Sequence, residues 1–125
     1  MASRSATSGT PWAATGLEVL GNADFTNGRL SRSGTTVVCF AAAWCPVTRR
    51  FMSRLVALKD TLPATLAIAD ITDLENPLWE DFRVRITPSI IVFRDGEVLQ
   101  RVDGMRFLGI TRSALSKLAL SFSAH

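Results

Sequence analysis

The chain has little from which to build a disulfide scaffold, a metal centre or a membrane span. Its 125 residues include two cysteines, Cys39 and Cys45, and one histidine, His125, the last residue. Two cysteines exclude a disulfide-rich secreted scaffold. Two cysteines and a terminal histidine fall short of a structural zinc site, so neither metal nor cofactor is expected. The longest apolar run, Val37 to Val47, is eleven residues even with Pro46 counted, whereas a membrane helix needs about 20. Residues 1–15 carry one charge, Arg4, and no apolar core, so they do not read as a secretory signal. The net charge is +3, but the basic residues are scattered. Arg49 and Arg50 are adjacent without extending into a run, and nucleic acid would need a clustered footprint.

What is present suits one folded domain. Hydrophobic residues make up 47% and charged residues 20%, which excludes a disordered chain. A chain of this length buries enough surface to fold without staples. Residues 1–16, rich in Ser, Thr, Ala and Gly, read as a flexible tail that Trp12 could pin. Residues 17–125 read as the domain, a monomer in the cytoplasm, where thiols stay reduced.

Patterning places the elements. Leu17 to Leu20 alternates as a short strand does. Asn22 and Asp24 can cap a short helix carrying Phe25 and Leu30. Thr35 to Ala41 is β-branched and apolar, the pattern of a strand covered on both faces. Val47, Phe51, Leu55 and Leu58 draw one stripe on a helix from about Cys45 to Asp60. Leu66 to Ile71 is a strand. Asn76-Pro77 opens a short helix with Trp79 and Phe82, both expected in the core. Ser89 to Phe93 and Glu97 to Val102 flank an Asp95-Gly96 hairpin turn. Thr111 caps a last helix that faces inward with Leu115, Leu118, Ala119 and Phe122. The order β-α-β-α-β-α-β-β-α predicts an α/β fold, a mixed central sheet covered on both sides.

Chemistry concentrates at Trp44-Cys45-Pro46-Val47-Thr48, where a buried strand hands over to a helix. A cysteine there faces unpaired backbone N–H groups and the positive end of the helix dipole. Both favour the thiolate, which is the nucleophile. Arg49 and Arg50 add positive charge if their side chains reach back, and Thr48, three residues on, can donate to the sulfur. A free cysteine is as readily inert packing, and position alone leaves both readings open.

From about Leu17 to Phe122 the chain resembles the thioredoxin family. Val38-Cys39-Phe40-Ala41-Ala42-Ala43-Trp44-Cys45 is similar to that family's strand leading into Trp-Cys. Ile86-Thr87-Pro88 before Ser89 to Phe93 is similar to its cis-proline strand, Arg94 to Val98 to its hairpin, and Gly104 to a glycine ahead of its last helix. The resemblance implies a three-layer α/β/α sandwich. It implies that Cys45 attacks, and that Pro88 faces it in cis, although an ordinary trans turn proline also suits that position. Thr87 would pair through its backbone with an extended substrate. Trp44 would form a lip of the groove, and Pro46 and Gly104 would belong to the same substrate-binding surface.

Two departures qualify the resemblance. The family pattern is Cys-x-x-Cys, and here the fourth position is Thr48, so the second thiol that expels a bound substrate is missing. The family's buried aspartate, six residues before the attacking cysteine, is Cys39, with Asp70 near the place of its lysine partner. Cys39 reads as core, or as an auxiliary thiol able to bridge to Cys45. Three functions follow. The first is exchange through one thiol with protein or low-molecular-weight disulfides. The second is a redox-silent module that holds a peptide beside Trp44 and Pro88. The third is an iron–sulfur cluster on Cys45 with glutathione, which takes two chains per cluster.

Overall fold

The computed structural model describes residues 12–123. In chain order they form β1 (Glu18–Leu20), β2 (Phe25–Thr26), β3 (Arg29–Leu30), β4 (Thr35–Ala41), α1 (Pro46–Leu58), β5 (Thr65–Asp70), α2 (Leu78–Asp81), β6 (Ser89–Arg94), β7 (Glu97–Asp103) and α3 (Arg112–Ser123). The main sheet runs β1-β5-β4-β6-β7. β5 is parallel to both β1 and β4, while β6 is antiparallel to β4 and β7. The sheet is therefore mixed, and β4 lies at its centre.

Alternation along the central strands sorts the side chains to two faces. Val37, Cys39 and Ala41 of β4 join Ile68, Ile90 and Val92 under α1 and α3, which contribute Phe51, Leu55, Leu115 and Leu118. Val38 and Phe40 turn the other way, with Ala67, Ala69, Ile91 and Phe93, onto Phe25, Leu30, Leu78 and Phe82. A period of two in a strand buried on both sides produces these two cores. The α/β/α layering follows, with α2 and the β2–β3 hairpin covering the second face. Thr111 Oγ1 accepts the Ala114 N–H at 3.2 Å at the start of α3, as expected. α2 begins one residue later than Asn76-Pro77 suggests, with Pro77 as its N-cap, although Asn76 Oδ1 still accepts the Leu78 N–H at 2.9 Å. The Asp95-Gly96 turn has positive φ at both residues, the requirement of a two-residue hairpin.

Two further expectations need correction. The segment expected as a helix carrying Phe25 and Leu30 is a 3-10 turn (Asn22–Asp24) followed by the β2–β3 hairpin. Asn27 and Gly28 take φ of 52° and 73°, so Asn-Gly makes a tight hairpin turn, and a turn of that kind cannot lie inside a helix. The domain also begins earlier than Leu17. Trp12 is 1% exposed and packs in the core under α1 and α3, and Ala13–Thr15 form a 3-10 turn behind it. The large indole adds more buried apolar area than a tail residue would. The rest of the expected tail, residues 1–11, lies outside the described residues.

Burial of Trp12 yields a direct test. Trp12→Ala should lower unfolding free energy by about 3–5 kcal/mol, the usual cost of removing a large buried aromatic. Urea unfolding measures it, and a loss below about 1 kcal/mol would show that the indole is not part of the cooperative core.

Candidate active site

The site begins where β4 ends. The chain leaves the sheet at Ala41 and turns through Ala42 to Trp44, with the Cys45 N–H bonded to the Ala42 carbonyl at 3.1 Å. Cys45 is the N-cap of α1 in an extended conformation (φ −91°, ψ 115°), and Pro46 takes the first helical position. Proline suits that position because its missing N–H would have no helical partner. The Cys45 side chain is half-buried and free.

Across from it, the Thr87–Pro88 peptide bond is cis. Cys45 Sγ donates to the Thr87 carbonyl at 3.7 Å. Thr87 and Pro88 are buried. Gly104 packs against Pro88 so closely that a Cβ there would run into the Pro88 carbonyl oxygen, which explains a glycine at the end of β7.

Four donors decide the state of the sulfur. Burial raises the Cys45 pKa. The Thr48 hydroxyl, the Thr87 hydroxyl and the backbone N–H groups of Thr48 and Val47 lower it, and together they carry it below the ordinary thiol value. Thr48 is fully buried, and its hydroxyl has no hydrogen-bond partner among the described residues. Ionisation supplies the missing acceptor. Arg49 and Arg50, expected to help, are not among the causes. Arg50 instead donates to the Phe107 carbonyl at 3.5 Å.

Cys39 is fully buried in β4, and burial alone pushes its thiol well up. Both cysteines are free, so no bridge joins them. Asp70 is not beside Cys39. Its register partner in β4 is Ala41, while that of Cys39 is Ile68, and its carboxylate accepts from the Thr72 N–H at 2.9 Å and from the Thr72 hydroxyl. Thr72 in turn braces the turn before the site: its hydroxyl oxygen accepts the Ala43 N–H, and its carbonyl accepts the Trp44 indole N–H, both at 2.9 Å.

Trp44, Cys45 and Thr87 line one cleft of about 270 Å³, whose other walls include Trp79, Arg85 and Phe107. Pro46 is exposed on the helix tip and is not in that lining. The expectation that Trp79 and Phe82 both belong to the core divides. Phe82 is buried among Phe25, Phe40 and Phe93. Trp79 is half-buried: it packs against the same core as Phe82 and also stacks on Trp44 with ring centres 6.3 Å apart and an interplanar angle of 14°. Sequence reasoning missed Trp79, Arg85 and Arg106 at the cleft. Arg85 stands two residues before Thr87 and Arg106 two after Gly104, so their nearness to predicted site residues was the available signal, whereas Trp79 comes from α2.

Comparison with known proteins gives the family and the fold. The family model described as thioredoxin matches residues 17–117. The thioredoxin of Chlamydia trachomatis is 32% identical over 75 residues, covering 59% of this chain and 72% of that protein, and the thioredoxin of Chlamydia muridarum is 35% identical over the same shares. Among solved structures, mitochondrial thioredoxin 3 from Saccharomyces cerevisiae in its oxidised form superposes with a TM-score of 0.66 at 21% identity, covering 86% of this chain and 96% of that one. A mutant thioredoxin from Halobacterium salinarum gives a TM-score of 0.58 at 26% identity, over 72% of this chain and 75% of that one. By sequence and by fold the chain belongs to the thioredoxin family, whose chemistry is thiol–disulfide redox exchange.

Proposed function

We propose that this chain carries out thiol–disulfide exchange through a single attacking sulfur, Cys45, and relies on an external thiol to complete each cycle. The observation that carries the reading is a half-buried Sγ at the tip of α1, held toward the thiolate by donors, with threonine one turn on where a second thiol would stand. The Cys45 thiolate attacks one sulfur of a disulfide, a new S–S bond forms, and the other sulfur leaves as a thiolate. An external thiolate then attacks the mixed disulfide, and Cys45 leaves as it entered. Thr48 steadies the thiolate but cannot form an S–S bond. Trp44 and Thr87 hold the substrate, with Pro88 and Gly104 shaping the groove and Pro46 at its outer edge. A protein or low-molecular-weight disulfide is the substrate, and a reducing compartment such as the cytoplasm supplies the thiol. Among the described residues no helix is long and apolar enough to cross a membrane.

A second reading rests on the Trp44–Trp79 stack, in which exposed Trp44 lies on half-buried Trp79, an apolar surface whose binding capacity does not need the sulfur. In that reading the cleft holds a partner peptide without chemistry. Cys45→Ser separates the two. Partner capture that survives the substitution favours binding, and loss of a covalent adduct favours exchange.

The pH dependence of alkylation tests activation of the sulfur. Thiolate, not thiol, reacts, so the rate should rise with pH through a midpoint below that of the same cysteine in the unfolded chain. Thr48→Val should move the midpoint up while stability holds or rises by about 1 kcal/mol, since an unpartnered buried hydroxyl costs desolvation free energy. A midpoint unmoved by Thr48→Val, or equal to the unfolded value in the parent protein, would refute activation at this site.

The missing second thiol makes its own prediction. A mixed disulfide on Cys45 should persist for as long as no thiol is added, and Thr48→Cys should let the protein discharge it unaided. Mass spectrometry of the adduct over time reads both, and spontaneous loss from the parent protein would contradict the proposal.

A further inference from the structure

Building on the exchange reading, we infer that the thiol serving Cys45 is a small one bearing carboxylates, seated by Arg85 and Arg106. The cleft over the sulfur, at about 270 Å³, falls just below the usual small-ligand range of roughly 300–1,000 Å³. Its lining is mostly carbon, its only basic side chains are Arg85 and Arg106, and no carboxylate lines it. Both arginines are exposed. Among the described residues neither makes an ion pair, which is also true of Arg49, Arg83, Arg94 and Arg112, whereas Arg29, Arg32 and Arg101 each hold a carboxylate. What sets Arg85 and Arg106 apart is their place in the lining of the Cys45 cleft. Arg50 and Arg54 are tied to the carbonyls of Phe107 and Ile110.

The acids nearest in the lining of adjoining clefts do not neutralise this pair. Arg85 shares one neighbouring cleft with Glu80 and another with Asp103. Asp103 is held by Arg101 at 2.8 Å, and Glu80 forms no ion pair with Arg85. Two arginines thus line the cleft that holds Cys45, and among the described residues neither has a carboxylate partner. A carboxylate-bearing ligand supplies it through charge-assisted, forked hydrogen bonds. The same cations favour the thiolate form of an incoming thiol. A cationic thiol is repelled, and a neutral one gains nothing from them.

The reaction balances without an outside oxidant or reductant. The Cys45 thiolate attacks the small-thiol sulfur of a client mixed disulfide. The Cys45–sulfur bond forms, the client–sulfur bond breaks, and the client leaves as a thiolate that takes a proton from water. A second small thiol, as its thiolate, attacks the sulfur now attached to Cys45. A symmetrical small disulfide forms, and Cys45 leaves as a thiolate.

The test loads Cys45 of the full chain with pyridine-2-thiol, a neutral chromophoric leaving group, and follows its release by added thiols. Glutathione and its dimethyl ester differ in carboxylate charge. Each rate is divided by the same thiol's rate on a free pyridyl disulfide, which removes intrinsic reactivity. The normalised rate for glutathione should exceed that for the ester by about three- to fivefold at low salt, the size an exposed carboxylate–arginine pair supplies. The ratio should fall toward one at high salt and in the Arg85→Gln/Arg106→Gln variant. A ratio of one in the parent protein, or one that survives both substitutions, overturns the assignment. So does a cysteine peptide with acidic flanks that outruns glutathione, because the carboxylates would then belong to a client. If Cys45 cannot be loaded at all, the exchange reading itself fails; equal rates for acid and ester defeat only this inference.

Discussion

An ionised sulfur at the tip of α1 loses part of its water, and donors aimed at it must offset that loss. The outcome is a small difference between opposing contributions: burial raises the Cys45 pKa, and two hydroxyls with two backbone N–H groups bring it below the ordinary value. The rest of the fold positions those donors. β4 brings the chain to the start of α1, Pro46 presets the first helical residue, and the helix presents the N–H groups of Val47 and Thr48. Thr87 closes from the opposite side at the head of β6. The hydrogen bonds of Thr72 to Ala43 and Trp44 fix the turn that aims the sulfur between them.

The two departures from the family pattern become one physical change in this setting. Where Cys-x-x-Cys has a second thiol to deprotonate, a buried acid beneath the site has a task. With Thr48 in that place no proton needs to be taken, and an unpaired carboxylate in a dry core would cost several kcal/mol or stay protonated. Cys39 fills the position with a small side chain that stays neutral, because burial holds its thiol well up. It faces the same layer as Phe51 and Leu55 of α1, so it packs under the helix without offering the site a charge.

Local signals carried most of the fold. The alternation in β4 separated two cores, the Thr111 cap marked the start of α3, Asn76-Pro77 marked that of α2 to within one residue, and Asp95-Gly96 made its hairpin. Asn27-Gly28 was the same kind of signal and equally legible, yet the capping pattern of Asn22 and Asp24 suggested a helix across it. The steric demand of two adjacent positive φ values outweighs the weaker preference of a cap. Trp12 was visible as a lone indole, but burial depends on what folds over it, and α1 and α3 are far away in sequence. The site divides in the same way. The motif around Trp44-Cys45 and Thr87-Pro88 could be read locally. The stack of Trp79 on Trp44 comes from tertiary packing with no periodicity to announce it, whereas Arg85 and Arg106 flank Thr87-Pro88 and Gly104 and differ from ordinary surface arginines only by the direction the loops give them.

Replacing the second thiol by a hydroxyl also changes what governs turnover. In a dithiol site the expelling sulfur is part of the protein, so its effective concentration is set by geometry. In the exchange proposed for Cys45 that sulfur diffuses in, and the step is second order in an external thiol. Features that concentrate that thiol at the cleft then contribute to the rate as directly as features that activate Cys45. In that proposal the hydroxyl at position 48, which lowers the Cys45 pKa, favours the thiolate between encounters, and the cleft above it receives the next partner. The same substitution therefore joins thiolate stabilisation to dependence on a second molecule, and selectivity moves from the protein's own second sulfur to whatever the rim of the cleft admits.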